Sequence, residues 1–393
     1  GQSQFPWVWY LVSSWGRGPL SLQQLSARSW RGLFLDWVTE FPYQLITANG
    51  LGPSWMFLYS GETGCPPLRL TSVMRAARYE QIGTAREVLN VDDCQVPTPG
   101  PGQVLVQLAF SGINPTDVKA RSGAVPRVID EFQIPHHDGS GIIKSVGDGV
   151  DSGRVGERVW VMLAASGNRY GTAAQYCVVM NDFAQPLPDS VSLELGATLG
   201  VPAVTAAYCL FADAPIAGQT ILVSGGAGAV GRAAVQLAKW AGARVYTTVS
   251  SDEKMQIATE AGADTVVNYK QKGAVDQLKD RGISRVVEVN LAANLELDLA
   301  ISQPGMKILS YAADGEDPVF PRRALMNSCI TIEFMILYNV QKEKFWAAVE
   351  SVNQALRDGE LNMPPVSYFS LDEIVTAHEK VEAGSSERAL LRI

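Results

Sequence analysis

The stretch QTILVSGGAGAVGRAAVQLAKWAG, residues 219–242, decides the fold of this chain. A short apolar run precedes the glycines, and residues 232–239 then carry apolar side chains at helical spacing. This order predicts a strand, a tight turn and a helix. Gly226, Gly228 and Gly231 have the G-x-G-x-x-G spacing, which allows a sharp turn, a close approach to a pyrophosphate and tight packing of helix on strand. Because this context is right, we interpret the glycines as a dinucleotide site rather than a structural turn.

Strands and helices alternate after this unit. Strands are predicted at 244–249, 265–268, 284–290, 307–311 and 329–336. Helices are predicted at 252–261, around 277–279 and at 294–302. Such alternation requires right-handed crossovers and a parallel sheet, so the fold class is α/β with a doubly wound Rossmann domain.

The end of the second strand indicates which dinucleotide is bound. NAD sites usually place an acid there to hold the ribose 2′-hydroxyl, whereas a 2′-phosphate needs cations or hydroxyls instead. Here Ser250 follows the strand, Ser251 has the position of a helix N-cap, and Asp252 falls in the first helical turn, where the dipole favours an acid. Lys254 lies one turn inside the helix and can reach an extra phosphate. We therefore predict NADPH.

Length and composition fit a globular chain of two domains plus a remainder: 393 residues, 47% hydrophobic, with a net charge of −8. No basic run suggests nucleic acid, and no apolar run approaches the roughly 20 residues of a membrane span. The five cysteines show no paired spacing, which indicates reduced thiols rather than a disulfide framework. We expect a cytoplasmic protein that binds small molecules.

Residues 1–73 differ from the rest of the chain. They contain six of the nine tryptophans, have no acid before Asp36, and carry Arg17, Arg28 and Arg31 among many serines. This composition resembles an organelle transit peptide, which would make the location mitochondrial; an upstream tail without function is the alternative. In either case we expect a poorly ordered extension with little packed structure before Met74.

The remaining segments predict a second domain. From Met74 to about residue 200 the sequence is β-rich with glycine and proline turns, which predicts a mainly antiparallel domain. Its strands are expected at 104–110, 141–146, 158–163 and 172–179, and helices that return to it at 342–356 and 371–381. We predict a catalytic domain of residues 74–200 and 338–393, a nucleotide-binding domain of residues 201–337, and an active site in the cleft between them.

Several motifs, in order along the chain, carry a family resemblance. They are SGINPTDVKARSG (111–123), IPHHDGSGIIKSVGDGV (134–150), GERVW (156–160), GTAAQYCVV (171–179) and LGVPAVTAAY (199–208), followed by SGGAGAVG, TVSSDEK and NYK. From Met74 to Ile393 the chain resembles the zinc-free quinone oxidoreductases, also called zeta-crystallin-like, of the medium-chain dehydrogenase/reductases. The resemblance implies a GroES-like catalytic domain beside the Rossmann domain, and a homodimer formed through the nucleotide domain.

The resemblance also bears on zinc, because catalytic zinc needs three fixed protein ligands. The ligand cysteines of the zinc branch fall at Asn114 and near Pro202, and the ligand histidine falls at His137. One histidine cannot hold the metal, and the closely spaced four-cysteine lobe is missing. We predict no metal, and we expect His136 and His137 to bond to the backbone or to line the cleft.

Without a Lewis acid, simple alcohol oxidation is unfavourable, whereas a quinone or enone delocalises the incoming electrons. We therefore expect NADPH to reduce a quinone or a related conjugated carbonyl compound, with the protein supplying position and hydrogen bonds. Two alternatives remain: an enone or alkenal double-bond reductase, and a non-catalytic NADPH-binding protein.

The resemblance assigns roles to individual residues. Asn114 and Thr205 match an asparagine and a threonine beside the nicotinamide, although Asn114 could equally form an Asx turn before Pro115. Lys254 and Tyr269 match residues that contact the 2′-phosphate, and Ser250 is predicted beside them. The phosphate loop is predicted to comprise Gly226, Ala227, Gly228, Ala229, Val230 and Gly231.

One position departs from the family. Many relatives place a tyrosine five residues after the asparagine, facing the substrate, where this chain has Lys119. A lysine there could orient or protonate the reduced oxygen, although lysines are more often solvated surface charges. Arg388, near the end of the chain, could approach the nucleotide phosphates.

Overall fold

The computed structural model describes residues 43–47, 56–60, 73–313 and 315–393. The chain divides into two units, Gly1–Ser72 and Val73–Ile393. In the first unit, strands β1 (Tyr43–Thr47) and β2 (Met56–Ser60) pair antiparallel. The predicted poor order of residues 1–73 falls mostly on residues outside the described ranges and stays a prediction.

The second unit begins with the β-rich part of the chain. Its strands are β3 (Val73–Arg78), β4 (Asn90–Gln95), β5 (Gln103–Gly112), β6 (Asp138–Val146), β7 (Arg158–Val161), β8 (Tyr176–Met180) and β9 (Ala184–Pro186). Its helices are α1 (Ala85–Val88), α2 (Pro115–Ser122), α3 (Leu193–Gly196) and α4 (Gly200–Phe211). Short 3-10 turns lie at Ser152–Arg154 and Asn181–Phe183.

The nucleotide-binding half follows. Its strands are β10 (Thr220–Ser224), β11 (Arg244–Val249), β12 (Thr265–Asn268), β13 (Ile283–Glu288), β14 (Lys307–Ser310) and β15 (Thr331–Phe334). Its helices are α5 (Ala229–Trp240), α6 (Asp252–Glu260), α7 (Ala274–Leu278), α8 (Leu291–Ala300) and α9 (Arg322–Ser328). The chain ends with a 3-10 turn at Leu337–Asn339, α10 (Lys342–Arg357), β16 (Val366–Ser370), a 3-10 turn at Leu371–Glu373, α11 (Ile374–Glu382) and β17 (Arg388–Arg392).

Six strands form one parallel sheet in the order β12-β11-β10-β13-β14-β15. Strand β10, which precedes the glycine loop, is central, so the sheet is wound in both directions from it, as the α/β prediction requires. Its apolar residues Ile221, Leu222 and Val223 are each at most 1% exposed. A run of apolar residues buried on both faces is typical of a parallel sheet covered by helices on both sides.

The β-rich half forms a second sheet. Its order is β16-β17-β5-β6-β7-β9, with β8 paired to β5, and every pairing except β16 with β17 is antiparallel. The last strand of the chain, β17, therefore lies against β5 from the start of the unit. The mainly antiparallel architecture predicted for this part of the sequence is confirmed.

One predicted strand starts later than expected. We expected a strand over residues 172–179, but β8 begins at Tyr176. The segment before it is held in bends, because Ala173 donates its backbone N–H to Pro135 O and the Thr172 hydroxyl donates to Asp138 O. A side chain that binds a neighbouring carbonyl competes with regular pairing of this kind.

The two sheets share a hydrophobic core. Trp160 from β7 packs in the same cluster as Val204 from α4, Val235 from α5 and Val352 from α10. The indole N–H of Trp160 donates to Asn353 Oδ1 on α10 at 3.1 Å. This shared core fixes the position of the catalytic sheet relative to the nucleotide sheet. No helix among the described residues combines the length and apolar character of a membrane crossing.

Candidate active site

The glycine loop joins β10 to α5. Gly225 has φ +72°, a left-handed conformation that makes the turn and that glycine adopts without strain. The loop ends at Gly228, the extended N-cap of α5, so Ala229, Val230 and Gly231 form the first turn of the helix rather than part of the loop. Gly225 stands directly before the glycine triplet and outside the loop predicted from the G-x-G-x-x-G spacing.

The three glycines of the motif have different surroundings. A Cβ at Gly226 would overlap the Thr247 hydroxyl on β11, and a Cβ at Gly231 would overlap the carbonyl oxygen of Gly225. A Cβ at Gly228 would meet only Gly225 O, at 3.4 Å. Gly226 and Gly231 thus serve packing, while Gly228 leaves open space at the N-terminus of a twelve-residue helix. Free N–H groups and the positive end of the helix dipole make that space fit a pyrophosphate.

The end of β11 brings together three of the predicted cofactor residues. The Lys254 ammonium lies 3.2 Å from Ser250 Oγ, and both side chains are half-buried. The Tyr269 backbone N–H donates to Val249 O at 3.1 Å, which places Tyr269 beside the same strand end with its side chain 47% exposed. An ammonium and a hydroxyl therefore lie together at the end of β11, with the backbone of Tyr269 beside the same strand end.

The acids near this strand end lie in the first turn of α6. Ser251 caps α6 by accepting the backbone N–H of Lys254, as predicted, and Asp252 and Glu253 lie in the first turn. Asp252 Oδ1 accepts a long hydrogen bond from Asn268 Nδ2 at 3.5 Å. The dipole at the start of α6 and this amide stabilise the Asp252 carboxylate.

The catalytic side of the cleft centres on a buried carboxylate, Asp138, at the start of β6. Asn114 Nδ2 donates to its Oδ2 at 2.7 Å, and Arg388 Nη2 donates to the same oxygen at 3.1 Å. The backbone N–H of Val201 donates to Oδ1 at 2.8 Å, so Asp138 also binds the first turn of α4. Thr205, buried, lies one turn further along α4.

This cluster settles the position of two predicted residues. Asn114 is 2% exposed and caps α2, with its backbone N–H bonded to Asp117 Oδ2 at 2.7 Å. Arg388 forms a buried ion pair with Asp138, and a second nitrogen binds Ile113 O. Burial raises the pKa of Asp138 to about 6 despite the opposing effect of Arg388 and the Asn114 amide. The positive charge of Arg388 is therefore paired mainly with the carboxylate of Asp138.

A crevice separates the phosphate helix from the catalytic domain. It is lined on one side by Ala229 and Arg232 of α5 and on the other by Leu199 and Arg388. Of the predicted site residues this small crevice contains only Ala229, so an active site in the cleft between the domains stays a prediction. A wider surface pocket beside Arg158 and Arg357 contains none of the predicted site residues.

His137 lies next to Asp117 of α2. Its Nε2 atom is 3.9 Å from Asp117 Oδ1, and its ring centroid is 5.2 Å from that of Tyr338. Burial lowers the pKa of His137 to about 3, with help from Arg127, and raises the pKa of Asp117 to about 7. His137 is therefore neutral at neutral pH, and its contact with Asp117 is not an ion pair.

His136 does not line the cleft. Its Nδ1 lies 2.8 Å from Ser111 Oγ, and its Nε2 lies 2.9 Å from Nε2 of His378 on α11. Thus all three histidines of the chain are in this region. His378 was not singled out in the sequence, because nothing in its surroundings on α11 indicates a partner 242 residues away.

Lys119 lies on α2, five residues after Asn114, and is half-buried. Within the described ranges, no group of three or more histidine, cysteine, aspartate or glutamate side chains is arranged to hold a metal ion. Pro202, near which the second zinc cysteine of the zinc branch falls, is buried inside α4.

A buried pair of acids, Glu288 and Asp298, lies at the end of β13 and was not predicted from the sequence. Glu288 accepts from Asn294 Nδ2 at 2.8 Å, and the same amide lies 2.9 Å from Ser224 Oγ at the end of β10. Asp298, one turn further on α8, is fully buried, and neither carboxyl oxygen has a hydrogen-bond partner among the described residues. Burial, and secondarily Glu288, raises the pKa of Asp298 to about 8.

The sheet, the glycine loop and the second domain define the class of protein. A family model described as zinc-binding dehydrogenase matches residues 229–354, and one described as alcohol dehydrogenase GroES-like domain matches residues 100–189. The fold is therefore that of a medium-chain dehydrogenase/reductase, with a Rossmann domain and a GroES-like domain, as predicted.

Individual relatives narrow the class. The quinone oxidoreductase of Rattus norvegicus is 30% identical over 314 residues, covering 79% of this chain and 94% of the relative. The human quinone oxidoreductase is 29% identical over 319 residues, covering 80% and 95%. The structure of mycobacterial Rv1454c complexed with NADPH is similar with a TM-score of 0.71 and 26% identity, covering 81% of this chain and 100% of that one. The chain belongs to the quinone oxidoreductase family, which confirms the resemblance found in its motifs.

Proposed function

We propose that this chain is an NADPH-dependent quinone oxidoreductase that works without zinc. It belongs to an oxidoreductase family, and its relatives include proteins named quinone oxidoreductase. The observation that carries the proposal is the contact of Lys254 with Ser250 at the end of β11, beside Tyr269.

The strand end favours a phosphorylated ribose. A 2′-phosphate carries up to two negative charges and three acceptor oxygens, which suit the Lys254 ammonium and the hydroxyls of Ser250 and Tyr269. A 2′-hydroxyl would instead need a carboxylate acceptor, and no acid stands between the end of β11 at Val249 and Asp252, which lies in the first turn of α6. The mycobacterial structure complexed with NADPH supports the same cofactor.

The donor set of the cleft argues against catalytic zinc. Asn114, at the first ligand position of the zinc branch, offers an amide that already donates to Asp138. His137 stands at the ligand-histidine position of the zinc branch, and Pro202, near the second cysteine position, offers no side-chain ligand. Because zinc requires three fixed ligands, the reaction has to proceed through position and hydrogen bonding alone.

Bound NADPH would supply a hydride from nicotinamide C4 to the acceptor. We propose that Gly226, Ala227, Gly228, Ala229, Val230 and Gly231 bind its pyrophosphate. Asn114 and Thr205 would flank the nicotinamide, with Asp138 bonded to Asn114 and to the start of α4. Lys119 lies further along α2 and faces the acceptor.

A panel of acceptors tests the proposal. NADPH oxidation is followed at 340 nm with several quinones and with several enones and alkenals, each at matched concentrations. We expect turnover with quinones and little with enones. The reverse pattern would make the chain a double-bond reductase, and tight NADPH binding without oxidation by any acceptor would make it a non-catalytic binding protein.

We also propose a homodimer formed through the nucleotide domain. Strand β15 is an edge strand of the parallel sheet, and its Phe334 is 60% exposed. Ile336, just after the strand, is 54% exposed. An exposed apolar edge strand is a template for pairing with another chain, and the second copy is the partner that the family suggests.

We place the protein in a reducing compartment. Cys94, Cys177, Cys209 and Cys329 are unpaired in the described part of the chain, and burial raises the pKa of Cys177 and Cys209 to about 12. Inert buried thiols suit the cytoplasm, with the mitochondrion as the alternative if residues 1–73 include a transit peptide. The division into residues 74–200 with 338–393 and residues 201–337 is likewise our proposal.

A further inference from the structure

Tyr338 lies at a place where the chain passes between its two sheets. It occupies the 3-10 turn Leu337–Asn339, between the last strand of the parallel sheet and α10. Leu337, 5% exposed, packs into the shared core, and the Asn339 backbone N–H donates to Ile336 O at 2.9 Å. The backbone that carries Tyr338 is therefore fixed by packing on one side and by a turn on the other.

The side chain of Tyr338 contacts the catalytic domain. Its hydroxyl donates to Thr116 Oγ1 at 3.2 Å, and its ring lies against that of His137. Thr116 is the second residue of α2, two positions after Asn114. The phenol thus ends at the first turn of α2, two residues after Asn114, which is predicted to flank the nicotinamide.

The position of that hydroxyl corresponds to the family's missing tyrosine. Many relatives place a substrate-facing tyrosine at position 119, where this chain has lysine. Thr116 and Lys119 are three residues apart on α2, so their side chains lie on one face of the helix, about 5–6 Å apart at Cβ. Tyr338 therefore places a phenol hydroxyl on the same face of α2, but supplies it from another part of the chain.

We propose that Tyr338 supplies the acceptor-facing hydroxyl that the family's tyrosine supplies from position 119, and donates a hydrogen bond to the acceptor oxygen. The inference rests on the proposed function. Hydride transfer adds two electrons and one hydrogen to the quinone, oxidises NADPH to NADP⁺, and leaves one quinone oxygen as an anion. A proton from water then completes the hydroquinone.

The chemistry of Tyr338 suits a donor to that oxygen. Burial raises the pKa of Tyr338, so the phenol stays protonated and able to donate at neutral pH. A fixed donor aimed at a developing negative charge stabilises the transition state more than the ground state. In the absence of acceptor, Thr116 Oγ1 occupies the hydrogen bond and keeps the hydroxyl directed toward α2.

The test compares Tyr338→Phe, which removes only the hydroxyl, with Tyr368→Phe. Tyr368 lies on β16, outside the cleft, where its ring stacks under the Arg392 guanidinium. It is the matched control. The acceptor is tetramethyl-1,4-benzoquinone, which has no free ring position for thiols to attack. We expect Tyr338→Phe to lower kcat/KM for the quinone by about 10- to 100-fold, with NADPH affinity unchanged.

Calorimetry gives a second readout without turnover. NADP⁺ and the quinone are both oxidised and cannot react, so quinone binding to the NADP⁺-saturated protein is measured directly. We expect weaker quinone binding to Tyr338→Phe than to the Tyr368→Phe control. Thr116→Val should have a smaller effect, because it removes only the group that orients the phenol; a larger loss than in Tyr338→Phe assigns the contact to Thr116 and overturns the inference.

The outcomes separate the two proposals. If the wild type reduces quinones and Tyr338→Phe keeps kcat/KM and quinone affinity within twofold, the inference is wrong and the proposed function stands. If none of the acceptors supports NADPH oxidation by the wild type, the proposed function fails and the inference fails with it.

Discussion

The ring of His136 is hydrogen-bonded to that of His378, with their Nε2 atoms 2.9 Å apart. The direction of this bond follows from its neighbours. Thr172 donates its only hydroxyl proton to Asp138 O, so Ser111 donates to Thr172, and Ser111 must then accept from His136 Nδ1. A neutral His136 consequently accepts at Nε2, and His378 donates.

This relay connects α11 to the backbone of Asp138. His136 has φ +77°, a left-handed conformation that costs a residue with a side chain roughly 1–2 kcal/mol. Hydrogen bonds at both ring nitrogens hold it there, directly before His137 and Asp138. The histidine pair therefore positions the carboxylate that binds Asn114 and Arg388.

Acid should weaken the fold through this pair. Burial lowers the pKa of His378 to about 3 and that of His136 well below its usual value, while Arg121 adds repulsion. The unfolded chain binds these protons below about pH 6.5 and the folded chain does not, so stability falls as pH drops from 6.5 toward 3. His378 accounts for about 2 kcal/mol of this loss at pH 5.

Replacing His378 with glutamine, whose amide can still donate to His136, tests this expectation. Thermal unfolding from pH 8 to pH 4 should show a shallower loss of stability for His378→Gln than for the wild type. The values at pH 8 serve as the internal reference. Parallel curves for the two proteins would contradict the assignment of a neutral, buried pair.

The motif glycines should respond differently to alanine. Gly228→Ala should leave the free energy of unfolding nearly unchanged, because the new Cβ meets only Gly225 O at 3.4 Å, but it should weaken NADPH binding at least tenfold. Gly231→Ala should lower the free energy of unfolding by about 1–3 kcal/mol, because its Cβ overlaps backbone. Denaturant titration and calorimetry measure the two effects. An unchanged NADPH affinity in Gly228→Ala would contradict binding of the pyrophosphate by this loop.

Lys254→Ala should weaken NADPH but not NADH. Loss of one charge-assisted contact to the 2′-phosphate is expected to reduce NADPH affinity about tenfold, or about 1.4 kcal/mol. Lys144→Ala, which removes an exposed cation from β6, is the control. Calorimetric titration with each coenzyme distinguishes the cases, and an equal loss for both coenzymes argues against a phosphate contact.

Asp298 should make the protein less stable at alkaline pH. Its pKa is raised in the folded state, so the folded carboxyl keeps a proton that the unfolded chain releases near pH 4. The contribution of this bound proton to the free energy of unfolding is complete below pH 4 and is lost as pH rises toward about 8. Asp298→Asn is neutral at every pH and should remove this decline. Between pH 6 and pH 8 the wild type should therefore lose about 2 kcal/mol more of its free energy of unfolding than the variant does.

Glu296→Gln, an exposed change on the same helix, should leave the pH dependence of unfolding as in the wild type. Chemical denaturation at pH 6, 7 and 8 measures all three proteins. An unchanged slope in Asp298→Asn would mean that the carboxyl is ionised in the folded protein.

Local sequence patterns predicted the nucleotide half well. The glycine spacing, the apolar β10 and the Ser251 cap are features of neighbouring residues, and their consequences appear within one strand and one helix. The strand at 172–179 was predicted too long, because the hydroxyl of Thr172 binds a carbonyl from a distant strand. Alternating hydrophobicity carries no information about such a contact.

The catalytic side depends on long-range contacts that no local pattern reveals. Arg388 reaches Asp138 across 250 residues, and Tyr338 reaches Thr116 across 222. Each arginine or tyrosine, considered alone, is indistinguishable from an ordinary surface or packing residue. The order of strands β16, β17 and β5 brings the end of the chain to the start of the unit, and this order is set by the whole sheet.

The most direct test of the central claim is the coenzyme preference of quinone reduction. Initial rates with tetramethyl-1,4-benzoquinone are measured with NADPH and with NADH, in the presence and absence of a zinc chelator. We predict a kcat/KM at least about tenfold higher for NADPH, as one charge-assisted phosphate contact allows, and no effect of the chelator. Preference for NADH, loss of activity with the chelator, or no quinone reduction would contradict the account.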